Sequence, residues 1–266
     1  MAQEKWLVTG PKTIDVERIR SLKVGLISGQ VDIVGHDEPG ARVEVHSVRG
    51  RDLLVSVDGD TLEIDHPQMR WDNFIEVFRS FDGKASADVS IMVPRDVALK
   101  FGVVNSSGLI TGLTGDASVS TVNGDVIVDG LTGSLQLNSV TGEISVRNHT
   151  GKISAHTVSG DITVSGEVSS YSSDGVTGNV FLDLEGVPEE LMINTISGNV
   201  TARLDADAGA SYSINKVAGR LQLDDAEFRG IQGGYKGKYG ALEGHWTDVR
   251  INSVSGDISV LHAVRA

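Results

Sequence analysis

A short apolar-x-Gly-x-apolar phrase recurs seven times along the chain: TVNGDVIV at Thr121, SVTGEISV at Ser139, TVSGDITV at Thr157, GVTGNVFL at Gly175, TISGNVTA at Thr195, KVAGRLQL at Lys216 and SVSGDISV at Ser253. The first four glycines, Gly124, Gly142, Gly160 and Gly178, are spaced by 18 residues. A fixed period of that size predicts a β-solenoid of stacked rungs. With the glycine as position zero, positions −2, +2 and +4 are apolar, as in Val122, Val126 and Val128 or Val158, Ile162 and Val164. Side chains two apart share a strand face, so all three positions are expected to point inward and stack about 4.8 Å apart. The glycine is expected to supply either a positive φ or room for close packing at the corner. Smaller phrases at Leu113, Leu131 and Thr150 fall midway between the main ones, which predicts two short strands per coil.

After Gly178 the spacing drifts to 20 at Gly198 and 21 at Gly219, then jumps to 37 at Gly256. Insertions in solenoids sit on turns. The jump therefore predicts a loop insertion over 227–247, either a long hairpin or a mobile loop, rich in glycine and carrying Tyr235, Lys236, Lys238, Tyr239 and Trp246.

Before residue 100 the chain alternates with period two at Gln30–Val34, Arg42–Val45 and Leu53–Val57. The last of these runs into the turn Asp58-Gly59-Asp60 and the strand Thr61–Ile64, a hairpin pattern. SGQVDI at Ser28 already carries the repeat phrase once. Residues 1–100 are thus expected to be an N-terminal β layer continuous with the solenoid of 101–266, at about 18–21 residues per rung. One segment breaks the pattern. Within 66–87, Trp71, Phe74, Phe78 and Phe81 recur at helical spacing with charged residues between them, which predicts a short helix or capping segment near 69–82 over an open end of the stack. The sharper reading of the same stripe is a partner-binding helix.

Composition narrows the functional classes. A formal net charge of −13 argues against a nucleic-acid partner, whose phosphates require clustered Lys and Arg. The absence of cysteine excludes disulfides, thiolate metal sites and cysteine nucleophiles. No stretch approaches the roughly 20 apolar residues of a membrane-spanning helix, and the opening MAQEKWLVTG lacks a signal-peptide core, so the chain reads as cytoplasmic with an envelope location as the runner-up.

Two rows carry the candidate chemistry. Position +1, which the alternation points outward, reads Asp125, Glu143, Asp161, Asn179 and Asn199, in which three stacked carboxylates would welcome a cation, but the calcium nonapeptide is absent and a solvated acidic face that discourages sheet stacking accounts for the row better. Position −4 reads Ser120, Asn138, His156, Asp174, Asn194, Asn215 and Asn252, the composition of a hydrogen-bonded side-chain ladder. His156 beside Asp174 suggests a general base, but no Ser, Cys or metal-ligand phrase accompanies the pair. Neither a Walker loop nor a G-x-S-x-G elbow occurs. The residues thus predict no enzyme, no catalytic group, no cofactor and no metal. They predict an interaction surface at Tyr235, Lys236, Lys238, Tyr239, Trp246, Trp71, Phe74 and Phe78.

The phrases SGQVDIVG at Ser28, DGDTLEI at Asp58, DVSIMVPRDVALKF at Asp88 and the run of V-x-G-[DEN]-[VI] elements to SVSGDISV resemble a bacterial adhesin-like β-strand-repeat family of unknown function, domain of unknown function 4097. The resemblance spans about residues 6–262. It implies an all-β roll and, in some relatives, a role in envelope-stress responses, and it transfers no catalytic residue. The expected function is a non-enzymatic scaffold that binds a protein partner. Two alternatives stand beside it: a glycan-binding or glycan-processing solenoid using Tyr235, Tyr239 and Trp246, and a self-assembling structural protein that forms a homo-oligomer.

Overall fold

The computed structural model describes residues 4–66, 85–228 and 233–263, and every regular element among them is a β-strand. The segment expected to cap the stack over 69–82, with Trp71, Phe74 and Phe78, lies outside the described residues. The chain divides into two compact units, Met1–Gly133 and Ser134–Ala266.

In the first unit, β1 (Glu4–Val8) and β2 (Lys12–Val16) precede the long strand β3 (Ser21–His36). Then follow β4 (Ala41–Arg49), β5 (Leu53–Asp58), β6 (Thr61–Asp65), β7 (Ser86–Pro94), β8 (Ala98–Thr111), β9 (Ala117–Thr121) and β10 (Val126–Asp129). Strand β3 turns a corner at Gly29 and serves both faces. Its first half pairs in parallel with β6 and β8, and its second half with β7 and β8. Outside these lie antiparallel strands, β4 on β7 and β2 on β4 on one face, β5 on β6 and β1 on β5 on the other. The Asp58-Gly59-Asp60 turn closes the β5–β6 hairpin as expected, with Asp58 opposite Thr61 and Gly59 at φ 61°. The residue 100 boundary anticipated from sequence falls inside β8.

The unit boundary falls in β11 (Thr132–Ser139). The second unit continues with β12 (Ile144–Thr157), β13 (Ile162–Gly175), β14 (Val180–Leu184), β15 (Glu190–Thr195), β16 (Val200–Leu204), β17 (Ala210–Lys216) and β18 (Leu221–Leu223). It ends with β19 (Ala226–Phe228), β20 (Gly233–Tyr239), β21 (Thr247–Ser253) and β22 (Ile258–His262). One face runs from the start of β13 through β14, β16, β22 and β18 to β19. The other runs from the end of β13 through β15, β21 and β17 to β20. All of these pairs are parallel except β18–β19 and β17–β20. The last rung in sequence, β21 and β22, therefore lies between rung β15/β16 and rung β17/β18. At the insertion expected over 227–247 as a long hairpin or a mobile loop, β19 and β20 instead pair antiparallel with β18 and β17, adding one strand to each face.

The core follows the repeat. Positions +2 and +4 point inward throughout, for example Ile144 and Val146, Ile162 and Val164, Val200 and Ala202, Ile258 and Val260, each at most 1% exposed. Full burial of one such valine or isoleucine contributes about 1.5–3 kcal/mol.

The expectation for position −2 is corrected. In the second unit Val158, Val176, Ile196, Val217 and Val254 are 39–62% exposed. The strand before the corner alternates inward at −7, −5 and −3, as in Leu191, Ile193 and Thr195, so −2 falls on the outer side where the chain bends. Val122, in the first unit, is buried.

The corner glycine is required by close approach. A Cβ on Gly178 would lie 2.1 Å from the carbonyl oxygen of Gly160, and one on Gly198 would lie 1.9 Å from that of Gly178, neither glycine having positive φ. The buried −3 hydroxyl fixes the same turn. Thr157 Oγ1 donates to Gly160 O at 2.8 Å and accepts from Gly160 N at 3.0 Å, and Thr121 with Gly124 repeats the pattern at 2.7 and 3.0 Å.

Candidate functional site

The corners of the second unit build a surface from three parallel rows. The first is the outward −4 row. Asn194 Nδ2 donates to Asp174 Oδ1 at 2.9 Å, Asn252 Nδ2 to Asn194 Oδ1 at 2.8 Å, and Asn215 Nδ2 to Asn252 Oδ1 at 2.9 Å. The ladder expected from composition is present, but Asn252 lies between Asn194 and Asn215 because the last rung is intercalated. Every amide donates in the same direction, toward the Asp174 carboxylate. His156 Nδ1 approaches that carboxylate from the other side at 3.5 Å, with both side chains more than half exposed.

The second row is position −2. Backbone bonds Thr177 N to Val158 O, Ser197 N to Val176 O, Ser255 N to Ile196 O and Ala218 N to Val254 O, at 2.7–2.9 Å, place these residues on consecutive rungs. Val158, Val176, Ile196, Val254 and Val217 thus form one continuous aliphatic stripe in that spatial order. The part of the two rows from Asp174 onward, with Ile196, Val254 and Val217 as its aliphatic members, lines a groove of about 600 Å³ that ends at the pair Gly233-Gly234, and Val158 and Val176 continue the stripe beyond it. Lys216 occupies the inward −3 place at its floor, 3% exposed, and its ammonium donates to the carbonyl of Arg220. Burial lowers its pKa from the ordinary lysine value, and nearby Asp257 opposes that shift.

The third row is position +1, where each side chain accepts from the next rung's backbone. Asn179 N donates to Asp161 Oδ1 at 2.7 Å, Asn199 N to Asn179 Oδ1 at 3.1 Å, and Asp257 N to Asn199 Oδ1 at 2.9 Å. Arg220 N donates to Asp257 Oδ1 at 2.9 Å while its guanidinium holds Oδ2. These bonds from Arg220, backbone first, keep the Asp257 carboxyl below the usual carboxylate range. Oδ1 of both Asp161 and Asp257 is thus engaged by a peptide N–H, and no group of three or more His, Asp or Glu able to hold a metal ion occurs among the described residues.

The residues singled out from sequence are dispersed. On β20, Tyr235 and Tyr239 stand opposite the inward Ile214 and Ala210 of β17. Tyr235 lies against Phe228, ring centroids 5.1 Å apart, and Tyr239 stacks on His262 at 3.6 Å. They cover the end of the core. Lys236 and Lys238 alternate with them, opposite Ser213 and Ser211, on the outward face. Trp246 stands apart, 38% exposed, at a hollow of about 350 Å³ edged by Val187, Glu189, Glu190, His245 and Asp248. Trp71, Phe74 and Phe78 lie outside the described residues.

The aliphatic stripe escaped the sequence reading, yet its signal was present. Where strand alternation holds up to a buried Thr195 or Ser253 at −3, the −2 side chain falls on the outer side, as it does in the second unit but not at Thr121 and Val122 in the first.

A family model described as Toastrack DUF4097 matches residues 19–261. No curated protein matches the chain. Among solved structures, a provisionally named lipid binding protein from Parabacteroides distasonis is 14% identical, covers 96% of this chain and 97% of its own, and superposes with a TM-score of 0.54. A provisionally named cell adhesion protein from Clostridium sporogenes is 15% identical over 95% of this chain and 100% of its own, with a TM-score of 0.30. A provisionally named adhesin from Parabacteroides distasonis is 15% identical over 97% of both chains, with a TM-score of 0.40. Among the described residues no helix is long and apolar enough to cross a membrane. The family match runs from the residues just before β3 into β22, through every glycine corner of the stack, and this chain belongs to the Toastrack DUF4097 family.

Proposed function

We propose that this chain is a non-enzymatic binding scaffold whose docking surface is the corner groove of the second unit, and that its occupant is an extended segment of a protein partner. The observation that carries this reading is the unbroken stripe Val158, Val176, Ile196, Val254 and Val217, 39–62% exposed, beside amides whose hydrogen bonds are already made to one another. Contiguous exposed apolar surface of this kind marks interaction sites. Each of these amides already donates one N–H to its neighbour, so covering the row costs fewer bonds to water than covering free amides would. The Asp174 carboxylate at one end favours a basic residue in the partner there, which sets the direction of binding. A place in the bacterial envelope-stress response, implied by the family resemblance, is part of the same proposal.

Selection of a displayed library of random ten-residue peptides on the immobilised chain tests it. Enriched sequences are expected to be aliphatic with a basic residue, and to bind the Ile196→Asp/Val254→Asp double variant at least tenfold more weakly while its melting curve is preserved. Failure to enrich any binder, or equal binding to the double variant, overturns the reading.

One observation supports the glycan alternative. Trp246 offers a half-exposed indole face over a hollow with Glu189 and His245 at its edge, the pairing of platform and hydrogen-bonding groups that sugar rings use. A glycan array probed with the intact chain and with Trp246→Ala separates this from the peptide groove. Binding that disappears in the variant supports it, and an array without signal removes it.

A further inference from the structure

The rung formed by β21 and β22 is last in sequence but internal in space, and its two neighbours are built to the same plan. Toward rung β15/β16, a Cβ on Gly256 would lie 2.4 Å from Gly198 O, Asn252 donates to Asn194, and Asp257 N donates to Asn199 Oδ1. Toward rung β17/β18, a Cβ on Gly219 would lie 2.2 Å from Gly256 O, Asn215 donates to Asn252, and Arg220 N donates to Asp257 Oδ1. Rung β17/β18 thus carries the corner and core groups that the intercalated rung uses against β15/β16: glycine at zero, asparagine at −4, a backbone donor at +1 and inward aliphatics at +2 and +4. If residues 247–262 withdrew, β17/β18 could move by one rung and make the equivalent backbone and corner bonds, forgoing the exposed Arg250–Glu190 pair and the Ser255 Oγ bond to Ile196 O, whose places are taken by Ser213 and Ala218.

The connections permit the move. Residues 205–209 join β16 to β17 across the intercalated rung, and residues 185–189, equal in number, join β14 to β15, whose strands pair with the same strand β13 with nothing between. A connector of five residues can extend to about 17 Å, against about 4.8 Å for each strand step. The segment 240–246 leading into β21 contains no strand and turns at two glycines of positive φ, Gly240 at 64° and Gly244 at 91°.

We propose that residues 247–262 are an exchangeable rung, and that the slot between β15/β16 and β17/β18 accepts this rung either from its own chain or from a second copy. Because the stack can close behind the departing rung, release does not leave two raw strand edges in the body of the unit, the feature that otherwise makes such opening prohibitive. The released rung keeps both of its own edges unpaired and fits only a slot with the matching glycine, asparagine and aliphatic positions. Those positions are supplied by another molecule of the same chain, in the manner of a domain swap.

Hydrogen exchange followed by mass spectrometry on the full chain, with a labelled peptide of residues 241–263 as probe, tests this. A strand paired on both sides ordinarily exchanges as slowly as its neighbours. Here amides of 247–262 are expected to exchange at least tenfold faster than those of 190–204, while 210–223 stay protected, and the peptide is expected to incorporate at up to one per chain. A peptide carrying Gly256→Val, which would press a side chain on Gly198 O, is expected not to incorporate. Equal protection of 247–262 and 190–204 overturns the proposal. So does absence of incorporation over the time those amides take to exchange, and so does equal incorporation of the Gly256→Val peptide.

Discussion

In the first unit the chain adds its outer strands in antiparallel hairpin fashion, β4 and β2 on one face and β5 and β1 on the other, outside the long strand β3, which like β8 serves both faces. In the second unit nearly all pairing is parallel, and among the described residues antiparallel strands appear only as β19 and β20 at the far side of β17/β18. The polar groups buried in the two differ as well. Both bury the corner hydroxyl, at Thr121 in the first and at Ser139, Thr157, Thr195 and Ser253 in the second, but the first adds a buried acid and histidine, Asp65 and His66, at the end of β6, 8% and 0% exposed, and the second adds His149 and Lys216. The difference teaches that a corner built on a T-x-x-G turn needs only a small neutral donor and acceptor. It can therefore be copied from rung to rung, while the hairpin layer carries residues that match one place only.

The largest expected effect strikes the copied corner. Gly198→Ala places a methyl group 1.9 Å from Gly178 O and should cost about 1–3 kcal/mol or more in urea unfolding. Gly59→Ala, at φ 61° in the β5–β6 turn with nothing within 4 Å, should cost only about 1 kcal/mol. Equal losses would erase the contrast between close approach and backbone conformation.

The next concerns Asp65 and His66. Burial, helped by Glu63, pushes the Asp65 carboxyl up to about 6, and burial, helped by Arg51, pushes His66 down to about 4. Asp65 in the folded chain keeps its proton to higher pH than in the unfolded chain, so it erodes stability as pH rises from about 4 to 6. His66 stays neutral to lower pH than when unfolded, so it erodes stability as pH falls from about 6.5 to 4. The two slopes oppose, and the parent chain should be nearly level between pH 4 and 6. Asp65→Asn leaves the His66 slope alone. The variant should match the parent near pH 3.5 and exceed it by up to about 2–3 kcal/mol at pH 7. Urea unfolding at several pH values reads this, and parallel profiles would refute it.

A smaller change is expected for Thr157→Val, which keeps the shape of the corner and loses the bonds to Gly160. About 1–2 kcal/mol should be lost, since Gly160 N is then left without its side-chain acceptor. The smallest belongs to the exposed rows. Ile196→Asp should alter stability by no more than about 0.5 kcal/mol, because its side chain already lies in water. A loss like that of Gly198→Ala would mean that the stripe belongs to the core.

Much of the scaffold was legible in the sequence because its determinants are periodic. The inward +2 and +4 ladders, the asparagine row at −4 and the hairpin at Asp58-Gly59-Asp60 all follow from local rules. Two features did not yield. The outward turn of Val158 and Ile196 depends on the strand before the corner, and counting alternation across the corner inverts the phase. The position of β21/β22 is set by which edge a rung docks on, and phrases as similar as TISGNVTA and SVSGDISV contain nothing that ranks one edge above another. For the same reason the 37-residue gap admits either a long hairpin or a mobile loop on sequence grounds, and neither describes β19 and β20, which are edge strands on different faces. The candidate groove was half legible: its amides were named from composition, and its apolar wall was assigned to the interior.

The intercalated rung also bears on synthesis. Gly198 and Gly256 are adjacent in the stack but 58 residues apart in the chain, so this part of the core closes a far longer loop than the 18-residue steps before it. Rungs up to β15/β16 can accumulate one after another as the polypeptide emerges. Those that follow reach their final order only once residue 262 has left the ribosome, and until then Asn194 and Gly198 present an edge on which the wrong rung can dock.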